Sequence, residues 1–298
     1  MMQSLVRSIL HKTAGVRRAA LVAAASLPLA GCSALDSASN PLSSFFGGEK
    51  YKTELLPDVP ADGIYDQGLA RLGKKDFSGA AKKFGELEKQ YPNSGWSQKG
   101  LLMQTYSEYT EGKYDEAVST ANRYIGLYPN SKDAPYVYYL AGMSYYNQIP
   151  DADRDQERAE KSVVIFNQLV QKFPKSEYVN DAKFKIQVAK DQLAAREMKV
   201  GRFYLEQSNY TAGINRFREV LGKYQSTRHT EEALFRLTEA YLRLGVANEA
   251  QTAAAVLGHN YPDSQWYKDA YARLREGGLE PHEQSDSWIS KMFRKTVG

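Results

Sequence analysis

The sequence predicts an all-α protein, a superhelix of five helix-pair repeats. Three observations predict it. Five similar phrases punctuate the chain: Tyr91-Pro92-Asn93-Ser94, Tyr128-Pro129-Asn130-Ser131, Phe173-Pro174-Lys175-Ser176, Tyr224-Gln225-Ser226-Thr227 and Tyr261-Pro262-Asp263-Ser264. Each follows an amphipathic segment with one common spacing of small and apolar residues. Short turns such as Gly73-Lys74-Lys75-Asp76, Gly112-Lys113-Tyr114-Asp115 and Gly245-Val246-Ala247-Asn248 split the stretches between phrases into two helices. Proline stops a helix, and the Ser, Thr, Asn or Asp that follows is suited to cap the next one.

The first element is an address. Residues 1–31 hold Arg7, Lys12, Arg17 and Arg18 and no acid, and Ala19 to Ala30 is an apolar stretch broken by Pro28. It falls short of the roughly 20 apolar residues that a spanning helix needs, so it reads as a secretory signal. It ends Leu29-Ala30-Gly31-Cys32, which looks like the bacterial lipobox. That resemblance implies cleavage before Cys32 and acylation of the new terminus, with palmitate-like chains as a covalent lipid anchor. Ser33, where Asp would favour the inner membrane in the enterobacterial rule, implies transfer to the periplasmic face of the outer membrane. Residues 32–60 are rich in Ser, Gly, Asn and Pro. They read as a flexible tether with an end-to-end distance of about 30 Å.

The repeats follow in 61–176 (one to three) and 177–278 (four and five). Twelve residues before each Pro (or Gln225) stand Ala80, Ala117, Ser162, Gly213 and Ala250, all small. Eight before stand Phe84, Ala121, Phe166, Phe217 and Ala254, and five before stand Leu87, Tyr124, Leu169, Val220 and Leu257. These offsets lie on one helical face, and the small residue admits a closely packed partner helix. The pattern resembles the tetratricopeptide repeat, a unit of about 34 residues built from two antiparallel helices. Gly68 and Gly201 take the small first-helix position of repeats one and four, and Leu234, Leu237 and Tyr241 form the apolar face of repeat five. Two departures stand out. Residues 149–160 widen the turn of repeat three into a charged, solvated loop. Residues 177–193 lengthen the first helix of repeat four, which is expected to run to about Gln207, roughly 46 Å, and to link the two groups of repeats.

The tail, 279–298, is amphipathic. Trp288, Ile289, Met292 and Phe293 share one face and Lys291, Arg294 and Lys295 the other. A helix capping the last repeat, a partner-docking helix and a membrane-surface helix all fit this pattern.

Composition excludes several function classes. Of 39 basic residues four lie in 1–31, which leaves 35 against 35 acidic ones. A nucleic-acid binder would show a basic surplus. The lone Cys32 rules out an internal disulfide, and the four scattered histidines offer no His-His pair, so no metal site is expected. Asp151, Asp153, Asp155 and Glu157 lack the glycine and terminal glutamate of a calcium loop. No nucleophile elbow, Walker motif or dinucleotide fingerprint occurs. Neither catalytic residues nor cofactors are expected beyond the lipid on Cys32.

The chemistry that remains is aromatic. Tyr supplies 21 residues, and adjacent pairs such as Tyr138-Tyr139 and Tyr145-Tyr146 cannot both face a core, because neighbours on a helix point about 100° apart. Tyr offers a large apolar area and one hydrogen-bonding tip. Tyr65, Trp96, Tyr106, Tyr139 and Tyr146 are therefore candidates to line a peptide groove on the first-helix face of repeats one to three.

Taken together, the lipobox cysteine, the tether, five repeats and the stretched helix resemble the BamD family of outer membrane protein assembly factors over roughly residues 61–264. Ile64-Tyr65, Tyr91-Pro92 through Ser97-Gln98, Asp153-Arg154-Asp155-Gln156, Lys190-Asp191-Gln192-Leu193-Ala194 and Ile214-Asn215-Arg216 carry the likeness. The resemblance implies a non-enzymatic lipoprotein subunit of the β-barrel assembly (BAM) complex. Its partners would be the POTRA domain of BamA, the other BAM lipoproteins and unfolded barrel substrates. Arg216, with Asn215 beside it, matches an arginine position at the family's BamA contact, where a carboxylate would complete a charge-assisted pair. Tyr224-Gln225, where the family usually has Tyr-Pro, and the tail beyond Glu280 depart from the pattern. A repeat lipoprotein of cell-wall or pilus assembly would use the same repeats but not the loop and long-helix phrases. An enzyme or enzyme activator would need a catalytic constellation that the sequence does not contain.

Overall fold

In the computed structural model, which describes residues 59–152 and 154–296, the described residues are helices joined by turns. The signal segment, Cys32 and nearly all of the tether lie outside the described residues. The helices are α1 (Ala61–Gly73), α2 (Phe77–Gln90), α3 (Gly95–Glu111), α4 (Tyr114–Leu127), α5 (Ala134–Tyr146), α6 (Glu157–Lys172), α7 (Val179–Glu206), α8 (Tyr210–Lys223), α9 (Thr230–Arg243), α10 (Ala247–Asn260), α11 (Gln265–Glu276) and α12 (Trp288–Thr296). The first ten pair as five antiparallel hairpins, α1/α2 to α9/α10. Each second helix packs on the first helix of the next pair, and successive first helices also touch. The first helices thus make an inner layer and the second helices an outer one, the tetratricopeptide arrangement.

The repeat spacing maps onto the core. Ala80, Ala117, Ser162 and Ala250 are fully buried, as are Phe84, Ala121, Phe166, Phe217, Ala254, Leu87, Tyr124, Leu169, Val220 and Leu257. Packing within a pair is a volume match. A Cβ on Gly68 would come within 2.4 Å of the Phe84 ring, on Gly142 within 2.5 Å of Phe166, and on Gly201 within 2.4 Å of Phe217. In repeats two and five the large ring becomes Ala121 or Ala254, and the equivalent first-helix residue grows to buried Thr105 or Thr238. Each threonine hydroxyl donates to the carbonyl four residues back, Leu101 and Leu234 respectively, so its polar atom costs nothing in the core.

Helix ends follow the phrases with one revision. Ser94 and Ser264 accept from backbone N–H groups of α3 and α11 as capping side chains. Ser131 and Ser176 instead accept from Asp133 and Tyr178 inside the turn, and α5 and α7 start without a side-chain cap. Tyr224 ends α8 in much the same backbone conformation as its equivalents although Gln225 replaces proline. Asp76 and Asn209 cap α2 and α8 after left-handed Lys75 and Ser208.

α7 has 28 residues, three fewer than the 177–207 span anticipated. Its first half, Val179, Ala182 and Ile186, belongs to the core of repeat three. Its second half, Ala194 and Met198, belongs to a continuous core that runs on through α12. The loop before α6 is clamped rather than free. Gln192 Nε2 donates to the Pro150 carbonyl at 3.2 Å, Arg196 donates to the Arg154 carbonyl, and buried Gln156 donates to the carbonyls of Asp151 and Arg154. The acids Asp151, Asp155 and Glu157 stay exposed, so the loop is solvated in its side chains and fixed in its backbone.

The tail's apolar face is used internally. α11 covers the end of repeat five, with Trp266 against Phe235 at 5.3 Å. The chain then returns along α10, where Gln251, Thr252 and Glu249 bond to Glu280, Gln284 and Ser287. Ile289 is fully buried and Phe293 nearly so. Trp288 Nε1 donates to the Tyr241 hydroxyl at 3.0 Å while its ring lies under Arg218. α12 docks on the outer layer with Ile289 and Phe293 turned into the core and Trp288 and Met292 half-buried, and α11 covers the end of repeat five.

Candidate functional site

The inner layer of repeats one to three carries the aromatic residues in two groups. Tyr65 on α1 and Trp96 on α3 meet at 5.7 Å over Phe84, which Tyr65 also touches at 5.5 Å. Both rings are half-buried on the edge of the first core, and Lys99 sits over Trp96. Burial, with Asp66 adding, raises the Tyr65 pKa. The second group is a stack. Tyr178, at the entry to α7, lies against Tyr139 at 5.0 Å and Tyr136 at 5.3 Å. The Tyr139 hydroxyl donates to Asp181 at 2.7 Å. Burial, then the Asp181 hydrogen bond, pushes Tyr139 well above the usual phenol range. Burial, with Tyr106, Tyr178 and Tyr109 adding, pushes Tyr136 up to about 12. Tyr106 is linked to this group only by its charge effect on Tyr136. Tyr146 stands apart, packed in the third core with Lys185 over its ring at 4.8 Å.

Adjacent tyrosines divide as helical geometry requires. Tyr138 is core, with its hydroxyl accepting from Lys172 Nζ at 2.6 Å, whereas Tyr139 faces the stack. Next to the stack opens a cleft of about 620 Å³ lined by Lys132, Tyr136, Lys172, Lys175 and Tyr178 among others. Asp133 and Glu177 line it too, and flat phenol rings among charges of both signs suit an extended peptide with apolar side chains and polar groups. Tyr136, Tyr178 and the lysines were not among the sequence candidates. Tyr178 was detectable: it stands four residues after Pro174, as Trp96 does after Pro92 and Trp266 after Pro262.

A second surface lies at α7 and α8. Arg216, half-buried on α8, donates to Glu197 of α7 at 3.2 Å, and this bond, with the charges of Glu197 and Tyr204, raises its pKa. Asn215 is exposed beside it. Glu197 also borders a cleft of about 400 Å³ with Asp155, Gln156, Glu160, Arg196 and Tyr224. The loop phrase at 154–156, α7 and the Asn215-Arg216 phrase, far apart in sequence, thus share one face. Among the described residues no group of histidine, cysteine and acidic side chains could hold a metal ion. Cys32, the anchor candidate, lies outside the described residues.

These features define a class of protein, a helical-repeat scaffold offering two polar-aromatic surfaces. No helix among the described residues is long and apolar enough to cross a membrane. The chain belongs to the outer membrane lipoprotein family YfiO, which it matches over residues 57–257. Among curated relatives, the outer membrane protein assembly factor BamD of Caulobacter vibrioides is 42% identical over 235 residues, covering 79% of this chain and 77% of the relative. The BamD of Rickettsia prowazekii is 43% identical over 230 residues, covering 77% and 92%. Solved structures with a similar helix arrangement include the TPR2AB domain of yeast Sti1, at 13% identity and a TM-score of 0.36 over 80% of this chain and 98% of that one. Another is a TPR protein of Thermus thermophilus, at 16% identity and 0.32 over 72% and 98%.

Proposed function

We propose that this protein is a non-enzymatic, lipid-anchored subunit of the outer membrane β-barrel assembly machinery. It stands on the periplasmic face of the outer membrane and holds BamA with one end of its repeats and unfolded barrel segments with the other. The observation that carries the reading is the convergence of the loop at 154–156, α7 and Arg216 on one face. Those phrases bear the family likeness, and a clamped loop beside a helix pair is a rigid platform for a folded domain. Arg216 is held by Glu197, so a partner carboxylate would meet an oriented guanidinium, which favours a two-point charge-assisted contact. Membership of the outer membrane lipoprotein family and the BamD relatives support the assembly role.

On the inner layer, the stack of Tyr136, Tyr139 and Tyr178 and its neighbouring lysines would receive an extended barrel segment. Rings with fixed partners lose little entropy on binding. Cys32 would carry the acyl chains, and the stretch 32–60 would let the repeats stand off the membrane. The experiment is fractionation: the protein is expected in the outer membrane, and Cys32→Ala in the soluble periplasm. Unchanged membrane retention of Cys32→Ala would remove the lipid from the account.

A further inference from the structure

α7 carries two modules on one helix. Its first half, through Ile186, packs in the core of repeat three, and its second half, from Ala194, in the core shared by repeats four and five. Among the described residues it is the only helix packed substantially against both α1–α6 and α8–α12. The stretch between Ile186 and Ala194 spans about 12 Å at 1.5 Å per residue. Long helices commonly curve with radii of about 60–100 Å, which over this stretch is a tilt of about 7–11° and moves a point about 30 Å away by about 4–6 Å. The helix alone would therefore leave the angle between the modules soft.

This stretch is gripped from both sides, and the grips cross. From the repeat-three side, the loop before α6 reaches forward. Gln192 Nε2 donates to the Pro150 carbonyl at 3.2 Å, and Arg196 donates to the Arg154 carbonyl. Buried Gln156 holds the same loop from within, through the carbonyls of Asp151 and Arg154. From the repeat-four side, the turn after α8 reaches back. Gln187 Nε2 donates to the Ser226 carbonyl at 2.8 Å, and its Oε1 accepts from Ser226 Oγ at 3.1 Å. Asp191 pairs with Arg228 at 3.1 Å and faces His229 at 3.7 Å. Gln187 and Asp191 lie one turn apart, as do Gln192 and Arg196, and the two pairs stand about 140° apart around the helix. Each module thus holds the part of α7 that lies nearer the other module.

Closing a helix pair does not require such a loop. The other repeats join their helices through short turns at 74–76, 112–113, 207–209 and 244–246, whereas repeat three uses residues 147–156. What this longer segment presents to α7 is backbone carbonyls, while Asp155 and Glu157 stay in solvent. An insertion whose backbone is fixed by the side chains of a neighbouring helix is a built contact and not slack. Each contact is modest on its own, but Gln187, Asp191, Gln192 and Arg196 all act on one short lever. We propose that the crossed grips form a brace that fixes the angle between repeats one to three and repeats four and five, with the loop before α6 as its strut on one side. The tyrosine stack at the entry to α7 and Arg216 on α8 stand on opposite sides of the braced stretch, so the brace fixes their mutual orientation.

The test is pulsed electron paramagnetic resonance on the full-length protein in detergent micelles. Spin labels are carried on bio-orthogonal residues at two exposed positions, Lys82 of α2 and Lys268 of α11. The parent is expected to give one narrow distance. Gln192→Ala/Arg196→Ala releases the loop, and Gln187→Ala/Asp191→Ala releases the turn. Each should shift or broaden the distance by about 4–6 Å, the displacement that free curvature of the stretch allows. A second label pair, at Lys82 and Lys132, lies within repeats one to three and should keep its parent distance in both variants, with helicity unchanged. An unaltered distribution between positions 82 and 268 in both variants, a parent distribution as broad as theirs, or equal broadening between positions 82 and 132 would each overturn the proposal.

Discussion

Gly201 and Phe217 test how the repeats are held together. The Phe217 ring is fully buried and its Cε1, Cζ and Cδ1 atoms lie 2.4, 2.7 and 3.0 Å from where a Cβ on Gly201 would stand. Gly201→Ala gains about 0.8–1 kcal/mol in helix propensity. It also forces a ring with no exit to move, at about 1–3 kcal/mol for overpacking. A net loss of roughly 0–2 kcal/mol is expected. Phe217→Ala leaves a void and should cost about 3–5 kcal/mol. Repeats two and five show the alternative solution, a buried threonine opposite alanine. The double variant Gly201→Thr/Phe217→Ala copies it, so its cost should undercut the sum of Gly201→Thr and Phe217→Ala measured singly by about 1–3 kcal/mol. Urea unfolding followed by far-ultraviolet circular dichroism measures all four variants. Strictly additive costs would refute the volume-match account of repeat packing.

Tyr139→Ala should weaken binding of a barrel-derived C-terminal peptide without loss of helicity, because Tyr139 lies in the stack; Trp96→Ala should mainly lower the melting temperature, because Trp96 packs on the first core. Peptide fluorescence anisotropy with a parallel melt separates the two. Ile289→Ala, at a fully buried tail position, should cost about 2–5 kcal/mol in repeats four and five, read by hydrogen exchange on α8 and α10; unaltered exchange would mean that α12 does not stabilise them. His229 gives a pH signature. Its Nε2 is buried without a hydrogen-bond partner, and burial lowers its pKa against the pull of Asp191 at 3.7 Å. The unfolded chain then binds the proton more readily than the folded one, so stability present above pH ~6.5 declines as pH falls through that value. His229→Gln should flatten the decline, and an identical pH profile of thermal melts would show that another group controls it.

The repeats were legible in the sequence because their spacing is dictated by packing. The residues twelve, eight and five before each phrase had to share a face, and they fill the core. The long α7 was legible for the same reason: no proline interrupts it. What the sequence hid depends on tertiary contacts. The charged loop read as solvated, as its acids are, but the sequence did not show that Gln192 and Arg196 fix its backbone from another element. The tail's stripe fitted a capping helix first, then a partner-docking or a membrane-surface one, since periodicity states that a face is apolar and not what covers it. Of the tyrosine pairs, only the structure shows that Tyr138 turns inward to Lys172 and Tyr139 outward to Tyr178. The stack was partly missed because Tyr178 sits just ahead of its helix, where helical periodicity says nothing.

The most direct measurement is capture from detergent-solubilised membranes, with the full-length lipidated protein as bait and mass spectrometry as readout. Wild type is predicted to recover a POTRA-containing barrel protein with the other assembly lipoproteins, and Glu197→Gln, which loosens the hold that orients Arg216, to recover less of it. Arg216→Glu, folded to the same helicity, is predicted to lose it. Recovery of cell-wall or pilus components in place of a POTRA protein would contradict the account.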